Sequence, residues 1–340
     1  MTHYSKKDVR RAGKAIIDPA SSFQERREAE AVVNFWRDCH RLPLQRLLEE
    51  LNRTIGNSPS FLIAGRIKKL DTIIDKMTRR QAIANLAAMD DIAGCRIIVP
   101  NLAAQEKLCL QLSAIAECDN SWSDRHNYIA SPKESGYRGR HMLFRYHDEQ
   151  HGYKLTAELQ VRTEYQHAWA TAVEMYDAVA NDRLKFGEGE NRSNIFFQKV
   201  SALLRQIEES GEVDRTSIRS LGDESGSLRS TLSILKMLSA ASQSVYVVGG
   251  HPALAASDYC LVDFDPAEQM IVLTKLSPEE AFEAYFSNED DPEKRAHNLV
   301  LLRGASIEKL AALYPNYFGD ISKFVNLFNK LIEQNLDAFA

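Results

Sequence analysis

Four segments of the chain carry charged and aromatic side chains in patterns that suit the binding of a polyphosphate. The first reads Gly-Arg-Ile-Lys from Gly65 to Lys68, with Lys76 eight residues after Lys68 on a predicted helix. Arg66 and Lys68 lie at the end of a predicted strand. Ammonium groups supply point charges for phosphates, and a guanidinium group also stacks on a planar base. A basic cluster of this kind is, by itself, more typical of a solvated surface than of a binding site.

The second segment reads Asp-Asp-Ile-Ala-Gly-Cys-Arg from Asp90 to Arg96, directly before a short apolar run that ends at Pro100. A carboxylate at the start of a buried strand is a ligand that Mg²⁺ prefers. Gly94 is expected to let the backbone pack closely, and Arg96 to face Arg66 across a planar base. A surface ion pair between Asp and Arg is the alternative interpretation.

The third segment is a polar loop in which Tyr137 stands between nearby glycines, preceded by Lys133 and followed by Arg138 and Arg140. An exposed aromatic ring in such a loop stacks on a nucleobase, and the cations bind phosphates. A surface turn with a half-buried tyrosine explains the same residues without a ligand.

The fourth segment places Glu158, Gln160 and Arg162 in alternation with two apolar residues. On a strand these three polar side chains share one face. Burying them without partners would be costly, and a magnesium ion with a nucleotide would supply the partners. His167 and Glu174, two turns apart on the following helix, are interpreted as structural support.

The elements that must position these residues alternate along the chain. The pattern predicts strands at 61–67, 95–99, 141–146 and 155–162, and helices at 26–40, after Pro43, and at 71–86, 102–116, 163–180 and 195–209, with residues 124–140 as a loop. Thr163 and Gln166 form a capping-box pattern at the start of one helix. Strands interleaved with helices predict an α+β fold with one mixed sheet flanked by helices.

The last third of the chain begins a second pattern after a segment rich in Gly, Ser and charge. It predicts a helix at 228–241, strands at 245–248, 259–264, 270–276 and 298–302, a helix that opens at Ser277-Pro278, and two closing helices. We therefore predict a first domain at 1–209, a linker at 210–227 and a second, small α+β regulatory domain at 228–340.

Composition narrows the class of protein further. The chain has 340 residues, of which 44% are hydrophobic and 26% charged, which fits two packed domains and excludes a disordered chain. It contains no long apolar run and no apolar segment near Met1, so neither a membrane span nor a secretory signal is predicted. Five cysteines without a CxxC pair favour reduced thiols in a cytoplasmic protein and argue against a zinc site.

The net charge of −5 is unevenly distributed along the sequence. Residues 1–200 hold 30 Lys and Arg against 26 Asp and Glu, a net +4, whereas residues 201–340 hold 12 against 21, a net −9. The basic part suits a nucleotide or RNA, and the acidic part is able to dock against it. Ordinary surface variation explains the difference as well.

Taken together, the four segments resemble the RelA/SpoT nucleotidyl pyrophosphokinase family. The resemblance rests on Gly-Arg-Ile-Lys, Asp-Ile-Ala-Gly-Cys-Arg-Ile, Pro-Lys-Glu-Ser-Gly-Tyr-Arg and Glu-Leu-Gln-Val-Arg-Thr, in that order between about residues 60 and 175. It implies a transferase of the kinase type that moves pyrophosphate from ATP to a ribose 3′ hydroxyl, with Mg²⁺ as cofactor.

The resemblance also implies a role for each matched residue. Arg66 and Arg96 would sandwich adenine, Lys68, Thr72 and Lys76 would hold the ATP phosphates, and Asp91 and Glu158 would bind Mg²⁺ and serve catalysis, with Glu158 accepting the proton of the 3′ hydroxyl. The acceptor side would comprise Arg125, Lys133, Tyr137, Arg138, His141, Gln160 and Arg162. Thr72 stands where the family usually has serine, and Gly139 replaces a serine after Gly-Tyr-Arg.

The C-terminal part contains Tyr314-Pro-Asn-Tyr317 and resembles the antitoxin half of CapRel-type toxic small alarmone synthetases (toxSAS), which are toxin-antitoxin fusions. That resemblance implies that Tyr314 and Tyr317 block the ATP site until a phage protein such as capsid releases them, whereupon the enzyme modifies the tRNA 3′ CCA end in anti-phage defence. The alternatives are a (p)ppGpp synthetase that uses GDP or GTP, and a non-enzymatic RNA-binding or phage-sensing module. The presence of all the motifs together disfavours the last, and the oligomeric state is left open.

Overall fold

The structure of the protein is a computed structural model. It describes residues 4–56, 61–79, 85–115, 121–180, 191–214, 216–219, 246–248, 258–265, 267–268, 270–294, 296–303 and 322–333. The statements below concern these residues. The helix predicted at 228–241, half of the predicted linker, and the two tyrosines Tyr314 and Tyr317 lie outside them.

Three helices open the chain, and the sequence analysis predicts the second and the third of them. They are α1 (Lys6–Ile17), α2 (Phe23–Cys39) and α3 (Arg41–Ile55). Ser5 and Ser22 cap the first two through capping boxes, in which serine and an acidic residue three positions later satisfy each other's backbone N–H groups. Four of the five leucines of α3 are buried and only Leu42 is exposed, so this helix is amphipathic and faces the core.

Strands and helices then alternate through the part of the chain that carries the motifs. The elements are β1 (Leu62–Ile67), α4 (Leu70–Arg79), β2 (Ala93–Val99), α5 (Leu102–Ser113), β3 (Ser121–Asn127), β4 (Arg140–Asp148), β5 (Tyr153–Thr163), α6 (Glu164–Ala180) and α7 (Asn191–Ser210). The predicted capping box is confirmed, because the Thr163 N–H donates to Gln166 Oε1 at 3.1 Å and the Gln166 N–H to Thr163 Oγ1 at 3.4 Å. The loop prediction for 124–140 is wrong over its first residues, which belong to β3.

The C-terminal part adds four strands and two helices. These are β6 (Tyr246–Val248), β7 (Tyr259–Asp265), β8 (Met270–Leu276), α8 (Ala281–Asp290), β9 (Asn298–Arg303) and α9 (Ser322–Glu333). The predicted hairpin of β7 and β8 is confirmed. Helix α8 begins at Ala281, later than predicted, after a turn in which Ser277 and Glu280 exchange hydrogen bonds.

All nine described strands form one mixed sheet in the order β3-β4-β5-β2-β1-β9-β7-β8-β6. Strands β2 and β5 are parallel, as are β6 and β8, and the other pairs are antiparallel. The sheet is flanked by helices, which confirms the predicted α+β fold class. Because β9 pairs with β1, strands from both predicted domains share this sheet, and the division into two domains stays a prediction.

One face of the sheet is a dry core and the other positions the polar residues. Helices α3 and α5 pack with the buried side chains of β2 and β5, which include Cys95, Ile97, Leu159 and Val161. Gly65 on β1 also faces this core, where an added Cβ would lie 2.9 Å from a methyl carbon of Leu48. Strand residues in between point to the opposite face. Within the described residues, no helix has the length and apolar character needed to cross a bilayer.

Candidate active site

The strand register gathers the predicted site residues on the polar face of the sheet. Arg66 of β1 pairs with Gly94 of β2, and Gly94 pairs with Glu158 of β5. In the next row of this face, Arg96 pairs with Gln160, and Gln160 with His141 of β4. Residues that are up to 94 positions apart in the sequence therefore meet on four adjacent strands.

Asp91 lies between two lysines at the edge of this face. Lys68, in the turn after β1, places Nζ 2.7 Å from Asp91 Oδ2, and Lys76 of α4 places Nζ 2.8 Å from both carboxylate oxygens. Burial of Asp91 opposes ionisation, but the two ammonium groups outweigh it and lower the pKa of Asp91 to about 2. The cluster therefore holds two positive charges against one negative charge at neutral pH.

Glu158 is held in a fixed orientation by polar neighbours on the same face. Gln160 Nε2 donates to Glu158 Oε1 at 2.8 Å, and His141 Nδ1 lies 3.3 Å from the same oxygen. Burial raises the pKa of Glu158, but the hydrogen bond and charge of His141 lower it by more, so the net shift is downward although Asp91 repels the carboxylate. Asp91 and Glu158 are thus close enough to sense each other's charge.

Tyr137 lies beside His141 and Arg162 rather than free in solution. Its hydroxyl is 2.8 Å from His141 Nε2 and accepts a hydrogen bond from Arg162 Nε at 3.2 Å, and the guanidinium carbon of Arg162 is 5.0 Å from the centre of its ring. Burial raises the pKa of Tyr137, but the charges of Arg162 and His141 outweigh burial and lower it to about 8. For His141, burial lowers the pKa, but Tyr137 and Glu158 raise it above its ordinary value.

Two aromatic residues that the motifs did not include extend this surface. The rings of His126 and Tyr128 are stacked at 5.1 Å, and the ring of Tyr128 lies 5.6 Å from that of Tyr137. Lys133 places its ammonium group 4.7 Å from the Tyr128 ring centre and 5.1 Å from that of Tyr137. The loop prediction concealed this platform, because His126 belongs to the polar strand β3, which has no alternating apolar pattern.

Gly94 leaves open space on the polar face of the sheet, between the two arginines that are predicted to bind adenine. Among the described residues, no heavy atom lies within 4 Å of the position that its Cβ would occupy. The expectation that Gly94 serves close backbone packing is therefore wrong, and that role belongs to Gly65. Arg96 has Glu174 of α6 at 4.0 Å, so Glu174 supports an arginine of the site, in line with its predicted structural role.

Some of the predicted residues lie apart from this arrangement. Arg138 is turned toward α7, where its Nη2 lies 2.9 Å from Glu208 and only 4% of its side chain is exposed. Arg140 likewise pairs with Glu106 and Asp124. Both arginines were predicted to bind phosphates, and both are occupied by internal ion pairs instead. Arg125 lies at the rim, half exposed, with Nη2 3.3 Å from Asp90.

A pocket opens beside the group formed by Lys68, Lys76 and Asp91, which we call the Lys68 cluster. Its lining comes from two distant parts of the chain and comprises Arg66, Ile67, Lys68, Lys69, Thr72, Glu289, Asn298 and Leu299. Thr72 is exposed on the first turn of α4, where its hydroxyl is available to a ligand in this pocket. Motif reasoning did not identify the C-terminal contributors, since they lie in α8 and β9, outside the matched segments.

The donor set around Asp91 and Glu158 fits a magnesium ion that is shared with a substrate. Both carboxylates have a lowered pKa, so both are anionic at neutral pH. Among the described residues there is no group of three or more His, Cys, Asp or Glu side chains that would enclose a metal. Mg²⁺ is commonly bound by one or two carboxylates, with substrate phosphates and water completing its coordination.

The four motif segments lie within a region that matches a known protein family. Residues 65–177 match the family described as the region found in RelA / SpoT proteins. The GTP pyrophosphokinase YjbM of Bacillus subtilis (strain 168) is 30% identical over 147 residues, which cover 38% of this chain and 67% of that protein.

Solved structures of small alarmone synthetases show similarity as well. Small alarmone synthetase 1 of Bacillus subtilis, bound to its product pppGpp, is 25% identical with a TM-score of 0.42, covering 55% of this chain and 97% of that one. A GTP pyrophosphokinase family protein from Streptococcus pneumoniae is 22% identical with a TM-score of 0.41, covering 52% and 87%. On the strength of its match to the Bacillus pyrophosphokinase and to the family region, this chain belongs to the RelA/SpoT family and is a pyrophosphokinase.

Proposed function

We propose that the Lys68 cluster binds the phosphates of ATP, the pyrophosphate donor. The observation that carries this proposal is the sharing of one carboxylate, Asp91, by the two ammonium groups of Lys68 and Lys76. This arrangement leaves one positive charge uncompensated within the cluster, beside a pocket that also contains Thr72. A triphosphate supplies the missing negative charge, and it bonds well to ammonium and hydroxyl donors.

Adenine fits between Arg66 and Arg96 above Gly94. The two arginines are diagonal neighbours on adjacent strands, a spacing of about 7–8 Å between backbones, which suits a planar ring held between two guanidinium groups. Gly94 leaves the space over the sheet open between them. Glu174 supports Arg96 from behind, so that its planar group is held in place.

Glu158 is the residue that we propose as the general base. Its carboxylate is ionised and oriented by Gln160 and His141, which is the state needed to accept the proton of a 3′ hydroxyl. The new bond joins the 3′ oxygen to the β-phosphorus of ATP, and the bond from that phosphorus to the α-phosphate oxygen breaks, releasing AMP. Mg²⁺, held by Asp91 and Glu158, would supply charge neutralisation for the phosphates.

For the acceptor we propose the 3′ CCA end of tRNA, so that the protein acts as a toxin. Two cations of the loop motif, Arg138 and Arg140, are engaged in ion pairs and do not face a ligand. Instead, the aromatic rings of His126, Tyr128 and Tyr137 form a platform around His141, the residue that contacts Glu158. An acceptor that offers stacking bases and few phosphates, such as a single-stranded RNA end, suits this surface.

A guanosine nucleotide is the second candidate acceptor, in which case the protein makes (p)ppGpp from GDP or GTP in stringent-type signalling. The similarity to a protein named GTP pyrophosphokinase, and to a synthetase bound to pppGpp, favours it. Lys133, Arg125 and Arg162 are the cations that we propose as ligands of its 5′ phosphates. Both acceptors are cytoplasmic, which is the location we propose.

The acceptor is identified by incubating the full-length protein, both as the parent and as the Tyr317→Ala variant that lacks the proposed gate, with ATP labelled at the γ-phosphate and either tRNA or GDP. We expect label in tRNA, and its loss when the tRNA 3′ terminus is oxidised with periodate. Label only in the guanosine nucleotide would establish the second candidate.

Regulation by the C-terminal part is a separate proposal. Tyr314 and Tyr317, outside the described residues, would obstruct the ATP site until a phage protein such as capsid binds, as in a toxin-antitoxin fusion used in anti-phage defence. A tethered inhibitor is effective even when its contact is weak, because its local concentration is high. We expect Tyr317→Ala to make expression more harmful to a bacterial host than the parent, with Tyr317→Phe as the control. Equal growth of parent and Tyr317→Ala would contradict the gate.

A further inference from the structure

Helix α8 of the C-terminal part contacts the turn that carries Lys68. The hydroxyl of Tyr285 accepts a hydrogen bond from the backbone N–H of Ile67 at 2.9 Å, and Tyr285 itself is fully buried. Ile67 is the last residue of β1, and Lys68 follows it directly. A residue more than 200 positions away therefore satisfies the backbone group next to the proposed phosphate-binding lysine.

A second contact from α8 reaches the same turn through Arg37 of α2. The guanidinium group of Arg37 donates from Nη2 to Glu289 Oε2 at 2.8 Å and from Nε to the Lys68 carbonyl oxygen at 2.9 Å. Only 16% of the Arg37 side chain and 10% of the Glu289 side chain are exposed. The ion pair is thus largely shielded from water, which makes its geometry well defined.

A third hydrogen bond fixes the backbone of this turn. The N–H of Lys68 donates to the Ile92 carbonyl oxygen at 2.7 Å, next to Asp91. The three consecutive peptide groups between Arg66 and Lys69 are therefore each fixed by one partner. Two of those partners, Tyr285 directly and Glu289 through Arg37, depend on α8. The direction in which the Lys68 side chain leaves the backbone depends on these bonds.

The location of these residues separates them from the family region. The match to RelA/SpoT proteins covers residues 65–177, whereas Arg37 precedes it and α8 follows it. Glu289 and Asn298 nevertheless line the same pocket as Lys68 and Thr72. The pocket is therefore completed by chain segments that the family region does not contain.

We infer that Tyr285 and Glu289 are positioning residues for the donor nucleotide, because they fix the turn that aims Lys68 into the pocket. The inference rests on the proposed function, namely that Lys68 binds ATP phosphates. Tyr285 acts through the backbone of the turn and Glu289 through Arg37, although Glu289 also lines the pocket. The C-terminal part is accordingly a component of a competent ATP site, in addition to any inhibitory role.

Two conservative variants of the full-length chain test this role. Tyr285→Phe removes the hydroxyl and keeps the ring, and Glu289→Gln removes the charge and keeps the shape. Tyr259→Phe is the matched control for the first, since Tyr259 is also buried and its hydroxyl accepts a hydrogen bond from Asn52, far from the turn. Glu283→Gln, at an exposed position on the same helix, is the control for the second.

The measurements are the Kd of ATP by calorimetry, the KM of ATP and the KM of the acceptor. We expect each test variant to raise the ATP Kd and KM by about 3- to 10-fold, the value of one intramolecular hydrogen bond, while the acceptor KM and both controls stay unchanged. A merely structural role would lower thermal stability in Tyr285→Phe and Tyr259→Phe alike, without a selective effect on ATP.

The outcomes separate this inference from the proposed function. If both test variants bind ATP as the parent does, or if ATP and acceptor binding weaken equally, the positioning role is overturned. If the parent fails to bind ATP even when Tyr317→Ala removes the proposed gate, or if Lys68→Ala binds ATP as well as the parent in that background, the proposed donor site itself is wrong. Should Tyr285→Phe fail to fold, Glu289→Gln decides the matter alone, since it alters a side chain at the edge of the core.

Discussion

Replacing Glu158 with glutamine is the most direct test of the chemistry. The amide keeps the size of the side chain and retains a carbonyl oxygen for Gln160, which donates to Oε1 at 2.8 Å. It removes the negative charge, and with it the ability to accept a proton and to bind a divalent ion strongly. We expect the rate of pyrophosphate transfer to fall by about 10²- to 10⁴-fold, or roughly 3–5 kcal/mol in activation free energy.

The same variant is expected to keep its fold. The hydrogen bonds to Oε1 become weaker when the acceptor is neutral, but the cost of burying a carboxylate disappears, so the free energy of unfolding should change by less than about 1 kcal/mol. The charge of Glu158 is one of the causes that raise the pKa of His141. We therefore expect the pKa of His141 to fall in the variant, which an NMR titration of the imidazole protons measures.

Steady-state transfer of label from ATP, together with chemical denaturation, provides the readout. Glu106→Gln is the control, because this exposed residue pairs with Arg140 at some distance from the polar face. Its loss should cost no more than about 1 kcal/mol of stability and leave transfer intact. If Glu158→Gln retained a third or more of the parental rate while folded, the assignment of base and metal ligand would be refuted.

Three further predictions concern the open space over Gly94, the buried ion pair of Arg138 and Glu208, and the loss of stability at acid pH. Gly94→Val should raise the KM of ATP at least about tenfold without lowering the melting temperature, because its methyl groups enter space that is open in the sheet; an unchanged KM would place adenine elsewhere. Glu208→Leu should lower the free energy of unfolding by about 3–5 kcal/mol, since it strands the buried Arg138, and adding Arg138→Met should restore most of it; denaturant midpoints of the two variants measure this. The pKa of Asp91 is about 2 in the folded protein, against a reference value of 3.8, so its ionisation contributes roughly 2 kcal/mol to the free energy of unfolding above pH 4. This contribution disappears as the pH falls toward 2. Asp91→Asn should remove this part of the pH dependence, and an identical acid transition in the variant would contradict the prediction.

The fold was predictable wherever local sequence determines it. Helices with caps and strands with apolar alternation were placed within a few residues, and the hairpin of β7 and β8 was found. Strand β3 was missed because six of its seven residues are exposed or half-buried and most are polar, so neither alternation nor an apolar run marks it. The pairing of β9 with β1 was also missed, since backbone bonding between distant segments leaves no local pattern.

For the site, residue types and their order were sufficient to identify a shared face, but not the partners of each residue. The alternation of Glu158, Gln160 and Arg162 gave the face correctly. The sequence does not reveal that Arg138 turns toward Glu208, because a ligand phosphate and the Glu208 carboxylate are equally suitable partners for its guanidinium group. The open space over Gly94 is likewise a property of its neighbours in three dimensions.

The pairing of Ile63 with Arg303 also bears on how the chain acquires its structure during synthesis. Strand β1 leaves the ribosome long before β9 has been made, and at ordinary elongation rates the interval is on the order of tens of seconds. Throughout that interval the backbone of β1 exposes unpaired N–H and C=O groups along one side, a template for wrong partners. A nascent or truncated chain that ends before β9 should therefore require chaperones more than the finished protein does.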